Sequence, residues 1–231
     1  MLIDLHSHVL PGIDDGARCL EEAIQTLKTA RLQGFGAIIA TPHLLPNAKD
    51  GFRERVIETV RQLEPAAAQL GIRLYPGMEC FYHSNLPAML ESGRALTLAG
   101  SRYALVEFDE HVSYRGLCYG LNAISECGCV PILAHYERYR CLMNLANLRA
   151  LKRDGFLLQM NYDTLQRAYG IFRRNPFLKH VRDGMVEFMG TDTHGMHFRP
   201  LRTGPSVRWL RRHGFLETMT KNAERVLNDE Y

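Results

Sequence analysis

A parallel α/β fold, either a closed barrel or a doubly wound sheet, is predicted by three features of this sequence. Seven short apolar runs rich in strand-forming residues recur along the chain, each followed by a helix-like stretch. The runs are nearly continuous in apolar character, as parallel strands buried on both faces are. The chain has 231 residues, 46% hydrophobic and 23% charged, with no linker, repeat or composition break. That fits one domain over 1–231, large enough to bury a core without disulfides.

The predicted strands are 2–5, 36–40, 72–75, 103–106, 130–134, 156–160 and 186–189. Helical patterns lie between them. The stretch 20–33 opens with Glu21 and Glu22 and stops before Gly34. A second long helix is predicted over 52–70, and a short one over 147–153 ends before Gly155. Two C-terminal helices, 205–213 and 216–227, carry basic outer faces. Asp4 sits inside the first strand, where it either orients a ligand histidine or serves the interior structure.

The polar residues collect at the carboxyl ends of these strands. Strand one runs into His6-Ser7-His8, strand two into Thr41-Pro42-His43, and strand three into Gly77-Met78-Glu79. Strand four ends in Glu107, strand five in His135, and strand seven in Asp192-Thr193-His194. In an α/β barrel these ends open on one face, where active sites sit. Side chains alternate along a strand, so His6 and His8 point the same way. Any single histidine here is more often a hydrogen-bonded structural residue than a ligand. Solvated polar residues scatter over loops and helix faces, however, and do not gather at one end of successive strands. Imidazole and carboxylate without thiolate suit manganese, iron or zinc in a hydrolytic site. His111, His180 and His213 read as solvated, His83 as structural, and His197 is left open.

The charge balance, 28 basic against 25 acidic residues, gives no argument for nucleic acid. No run is long enough for a membrane span. The N-terminus lacks a basic region followed by a long apolar run, so no secretory signal and a cytoplasmic location are expected. Six scattered cysteines read as reduced thiols, and Cys127-Gly-Cys129 lacks paired zinc spacing.

The block His6-Ser7-His8, Leu10-Pro11-Gly12-Ile13-Asp14-Asp15-Gly16-Ala17, then Ala40-Thr41-Pro42-His43, resembles the polymerase and histidinol phosphatase (PHP) family. Within it, the chain is most similar to the bacterial manganese-dependent protein-tyrosine phosphatases of capsule and exopolysaccharide synthesis. Glu79, Glu107, His135-Tyr136-Glu137-Arg138 and Asp192-Thr193-His194 follow in the expected order, and the likeness extends through Asn222-Ala223-Glu224-Arg225. The resemblance implies a distorted (β/α)7 TIM-like barrel holding three divalent metal ions, Mn2+ first and Fe or Zn as alternatives. One ion would take His6, His8, Glu79 and Asp192. A second would share Glu79 and add Glu107 and His135. The third would take Asp14, His43 and His194, with Asp15 as a supporting or loop-capping residue. Arg138 and Arg199 are implied to bind phosphate. The stretch Gln159-Met160-Asn161-Tyr162-Asp163 and the segment 196–200 depart from the family pattern. The implied partners are a phosphotyrosine protein and, through it, a bacterial tyrosine kinase.

This reading is chemically coherent. Three divalent ions against four carboxylates leave a formal charge of about +2, suited to a phosphate dianion. Such a site supplies an ionised water as nucleophile. A phenolate leaving group, with conjugate-acid pKa about 10, departs without a strong general acid, so none is assigned. Cysteine-dependent tyrosine phosphatases need an arginine six residues after the thiol. Here Cys80, Cys127 and Cys129 are followed at that distance by Leu86, Leu133 and His135. The alternatives are a small-molecule phosphatase, such as one for histidinol phosphate, and a non-catalytic module. The second is disfavoured because every implied ligand position carries a competent residue.

Overall fold

A computed structural model describes residues 1–167, 175–196 and 198–230. Its strands are β1 (Leu2–Ser7), β2 (Phe35–Ala40), β3 (His43–Leu44), β4 (Arg73–Pro76), β5 (Glu79–Phe81), β6 (Tyr103–Glu107), β7 (Val130–Leu133), β8 (Leu157–Asn161) and β9 (Phe188–Gly190). All pairings are parallel, in the orders β1-β2-β4 and β3-β5-β6-β7-β8-β9. The two sheets share staves. Thr41-Pro42 interrupts one stave between β2 and β3, and Gly77-Met78 interrupts the next between β4 and β5. Proline has no N–H for the ladder, which accounts for the first break. At Gly77 an added Cβ would lie 2.9 Å from the Ile39 side chain, so only glycine lets the chain pass there.

The ring closes between its first and last staves. Asp192 N donates to the His6 carbonyl (2.8 Å) and His8 N to the Thr193 carbonyl (3.0 Å). Asp4 clasps the same seam: Oδ1 accepts from Thr191 N (2.9 Å) and His6 N (3.3 Å), and Oδ2 from Thr191 Oγ1 (2.6 Å). Its role is therefore to join backbones, and it touches no imidazole nitrogen. Burial raises its pKa to about 6, against the lowering pull of the Thr191 bonds.

Around the ring lie α1 (Leu20–Leu32), α2 (Phe52–Gln69), α3 (Leu86–Glu91), α4 (Tyr114–Glu126), α5 (Leu145–Arg153), α6 (Phe177–Arg182), α7 (Gly204–Arg212) and α8 (Phe215–Leu227). Ile3, Leu5, Ala37, Ile39, Leu105, Ile132, Ala134 and Phe188 fill the barrel interior as one apolar cluster, and a larger one packs strands against helices. The sequence pattern missed α3, α4 and α6. Gly116 and Gly120 dilute the helix propensity of α4. Gly120 is needed, because an added Cβ would meet the Phe108 ring at 2.5 Å. The outer face of α8 is mixed rather than basic, with Lys221 paired to Glu217 (2.9 Å). His180 is half-buried rather than fully solvated: it packs on Phe177 and hydrogen-bonds the Tyr136 hydroxyl (2.9 Å). Among the described residues, no helix is long and apolar enough to cross a membrane.

Candidate metal centre

The strand ends deliver their polar side chains to one buried cluster. His6, His8, Glu79, His135, Asp192 and His194 are all buried. Four of them join His43, Glu107 and Asp15 in overlapping groups of donor atoms, each within 4.8 Å: His6, His8 and Glu79; His43, Glu79 and Glu107; His8, Asp15, His43 and His194. Asp192 Oδ1 lies 3.6 Å from His6 Nε2 and 3.5 Å from His8 Nε2. His135 Nε2 lies 2.8 Å from Glu79 Oε1 and 3.3 Å from Glu107 Oε1. Glu79 thus stands between two groups. His135 and Asp192 take positive φ (31° and 49°), a region that non-glycine residues seldom occupy. Such strain clusters at functional sites.

Polar groups behind the cluster turn the imidazoles. Asp14 Oδ2 takes the His8 Nδ1 proton (2.7 Å), and Gln159 Oε1 lies 3.1 Å from His6 Nδ1. His194 Nδ1 bonds the Asp192 carbonyl (3.0 Å). In each case Nε2 is left facing the cluster, as in imidazole metal sites.

Asp14 and Asp15 point to different neighbours. Both Asp14 oxygens are engaged: Oδ1 accepts from Gly16 N (3.0 Å), and Oδ2 accepts from His43 N (3.1 Å) as well as from His8. These bonds outweigh burial and hold its pKa at about 2. Asp15 instead places Oδ1 3.5 Å from His43 Nε2 and 3.4 Å from His194 Nε2, with its side chain 64% exposed. Adjacent aspartates point in different directions in a loop, which spacing alone does not resolve.

The electrostatics are those of buried carboxylates set against imidazoles. Burial alone would raise the carboxyls of Glu79 and Asp192, yet facing imidazoles hold both well below the usual range. Burial opposes charge on His135, but Glu107 and Glu79 raise its pKa to about 9. His194 goes the other way, lowered to about 4 by burial and His8. Glu79 Oε2, His43 Nδ1 and His135 Nδ1 are buried without a hydrogen-bond partner. His43 Nδ1 and Glu79 Oε2 approach to 2.9 Å unaligned for a hydrogen bond. Buried polar atoms are almost always satisfied. The facing orphans His43 Nδ1 and Glu79 Oε2 are what a cation requires of its ligands, so these residues fit divalent ions.

Two arginines edge the cluster. Arg138, in the turn after β7, pairs with Asp192 Oδ2. Arg199 reaches the same oxygen at 2.6 Å. They are 27% and 31% exposed, open to a ligand from solvent. Asn161 Nδ2 also donates to Asp192 Oδ2 (2.8 Å), and Gln159 Oε1 accepts from His135 N (2.8 Å). Gln159 and Asn161, two apart on β8, therefore share the inner face, a period-two signal the sequence reading did not use. Glu22 carried no such signal. It spans two loops, accepting from Met196 N (2.9 Å), Arg18 N (3.1 Å) and Arg18 Nε (2.9 Å). His197 lies outside the described residues.

Cys80 is fully buried and its thiol is pushed up by burial, so it is no nucleophile. No disulfide forms among the described residues.

Comparison with known proteins places this geometry. Residues 2–228 match the family model of capsular polysaccharide synthesis proteins CpsB/CapC. The chain belongs to the CpsB/CapC family. It is 30% identical over 207 residues to tyrosine-protein phosphatase CpsB of Streptococcus pneumoniae, covering 86% of this chain and 85% of that protein. It is 29% identical over 238 residues to tyrosine-protein phosphatase YwqE of Bacillus subtilis, covering 99% and 92%. A solved structure from the pair YwqE and CpsB, described as metal-dependent tyrosine phosphatases, superimposes with TM-score 0.89 at 27% identity, over 100% of this chain and 96% of that one. The phosphotriesterase homology protein of Escherichia coli shares the fold at TM-score 0.58 and 12% identity. The parallel barrel expected from the sequence is the observed fold.

Proposed function

We propose that this CpsB/CapC member is a metal-dependent protein-tyrosine phosphatase acting in capsular or exopolysaccharide synthesis, with 1–231 working as one domain. The convergence of imidazoles and carboxylates on Glu79, rimmed by Arg138 and Arg199, carries the reading. The named relatives support it. His6, His8, Glu79 and Asp192 would hold one ion, and Glu79, Glu107 and His135 a second. A third would sit on His43, His194 and Asp15, with Asp14 orienting His8. Manganese is the ion proposed first, with iron or zinc as alternatives. Divalent ions held by these residues would supply Lewis acidity and lower the pKa of a water that could then serve as nucleophile.

The chain's own groups bind and orient. Arg138 and Arg199 grip phosphoryl oxygens, and two planar forks stabilise the charge that builds on them. Gln159, Asp14 and the Asp192 carbonyl fix the histidine tautomers. The phenolate leaves without a donated proton. The substrate is a cytoplasmic phosphotyrosine protein, a tyrosine kinase of the same system being the proposed case.

The test is turnover of a phosphotyrosine peptide against histidinol phosphate, with manganese and with chelator. Peptide hydrolysis that needs metal and exceeds histidinol phosphate hydrolysis is expected. Preference for histidinol phosphate would instead favour a small-molecule phosphatase.

A further inference from the structure

The basic outer face noted on the C-terminal helix 205–213 is not used by the metal centre. Residues 164–182 and 193–216 contain ten Lys and Arg and no Asp or Glu. The rest of the chain then holds 18 basic and 25 acidic residues, a balance of −7 inside a protein whose total is +3. Positive charge is concentrated in one sector.

The structure puts much of it on one continuous flank. Helix α7 buries Ser206, Val207 and Leu210 and exposes Arg208, Arg211 and Arg212. Those three are spaced i, i+3 and i+4, so they share a face. Arg182 of α6 lies over the Trp209 ring at 5.6 Å, bringing a fourth exposed arginine alongside. Arg202 is also exposed, just before α7. Among the described residues, no carboxylate lies within ion-pair distance of these five arginines, whereas Lys179 is neutralised by Asp183 (2.7 Å). Like charges at i, i+3 and i+4 destabilise a helix. The helix dipole accounts for Arg211 and Arg212 in the last turn of α7 and for Arg182 in the last turn of α6, but not for Arg208 or Arg202.

The flank leads into the site. Arg199, bridged to His194 at the rim of the cluster, is three residues from Arg202. The connection is pinned by Gln33 Nε2 to the Leu201 carbonyl (2.9 Å), Gln166 Nε2 to the Arg202 carbonyl (2.6 Å), and Thr203 N to Gln33 Oε1 (2.7 Å). From there α7 runs on for nine residues, about 13 Å. A chain whose phosphotyrosine meets Arg199 can therefore lie along the arginines with its flanking residues.

We propose that this flank is a docking track for an acidic stretch of the substrate polypeptide next to its phosphotyrosine, so that targets rich in Asp, Glu or further phosphates are preferred. The proposal rests on the tyrosine-phosphatase reading above. Continuity with Arg199 favours a polypeptide over an anionic bilayer, since one occupant then fills both track and site.

The test uses two phosphotyrosine peptides differing only in acidic or neutral flanks, with the manganese-loaded enzyme. Wild type should favour the acidic peptide in kcat/KM by about tenfold at low ionic strength, with the preference collapsing near about 0.5 M salt. The triple variant R208Q/R211Q/R212Q should lose most of that preference. It should also lose binding of a fluorescent, unphosphorylated acidic peptide, read by anisotropy without metal. If the triple variant does not fold, R211Q/R212Q and the salt dependence of wild type serve instead. A wild-type preference near one, or a preference unchanged in the variants, overturns the proposal. So does unchanged preference with variant-sensitive pelleting on phosphatidylserine vesicles, which would assign the flank to a bilayer. If wild type hydrolyses neither peptide, the tyrosine-phosphatase reading fails, and the anisotropy arm shows separately whether the track binds acidic chains.

Discussion

The two sides of the metal face are built differently. On one side His6, His8, Glu79 and Asp192 stand on or directly after strands, fully enclosed, with the backbones of His6, His8 and Asp192 hydrogen-bonded across the barrel seam. On the other, Asp15 comes from an exposed loop and His43 from a two-residue strand. His194 sits in a turn held from behind by Glu22 through Met196. The first side is preorganised by the fold, and the second depends on loops. The difference predicts that ions on the strand side bind tightly and those on the loop side more weakly and selectively.

Replacing both His6 and His8 with Ala should have the largest effect, removing bound metal and essentially all turnover while circular dichroism still reports a folded barrel. Retained activity in a metal-free double variant would break the comparison at its strong side. Next comes Arg138→Lys. A point charge replaces a planar fork, so kcat/KM should fall about tenfold to a thousandfold, or about 1.4–4 kcal/mol. Metal content should not change, and inhibition by phosphate should weaken. If Arg138 only pairs with Asp192, the change stays within about twofold.

The loop side is sharpened by a matched pair. Asp15→Asn should lose one ion per chain in elemental analysis and keep the rest. Asp14→Asn should keep that ion but weaken the His8 site about 10- to 100-fold, as loss of an orienting partner does. Equal losses in both would show that the loop does not separate the two roles.

Glu22→Ala should cost about 1–3 kcal/mol of stability at neutral pH. The folded pKa of Glu22, about 2, lies below its unfolded value of about 4.3. Its contribution is therefore fully present above about pH 4.3 and fades as pH falls toward 2. The melting-temperature gap between wild type and variant should close over that range. The smallest effect is Cys80→Ser, which should leave turnover within about twofold, because the thiol is buried and protonated.

Much of this architecture is legible in the sequence. Seven strands, the main helices and the strand-end histidines follow from period and composition, because parallel buried strands impose near-continuous apolar runs. What failed was local. Gly116 and Gly120 hid α4, and the packing reason for Gly120 is the Phe108 ring, which lies outside the helix. The different directions of Asp14 and Asp15 were not legible, because loop direction is set by the hydrogen bonds of Asp14 to His8, Gly16 and His43. Glu22 and Gln159 act across 174 and 153 residues of sequence, contacts that no local pattern encodes.

The most direct measurement titrates manganese into metal-free protein while recording bound ions and phosphotyrosine-peptide hydrolysis in the same samples. The account predicts no hydrolysis without metal. Tight binding at the strand side should come first, and full turnover only as a weaker, final ion fills the side held by Asp15, His43 and His194. Full hydrolysis by the metal-free protein, or full turnover before that weaker ion binds, would contradict it.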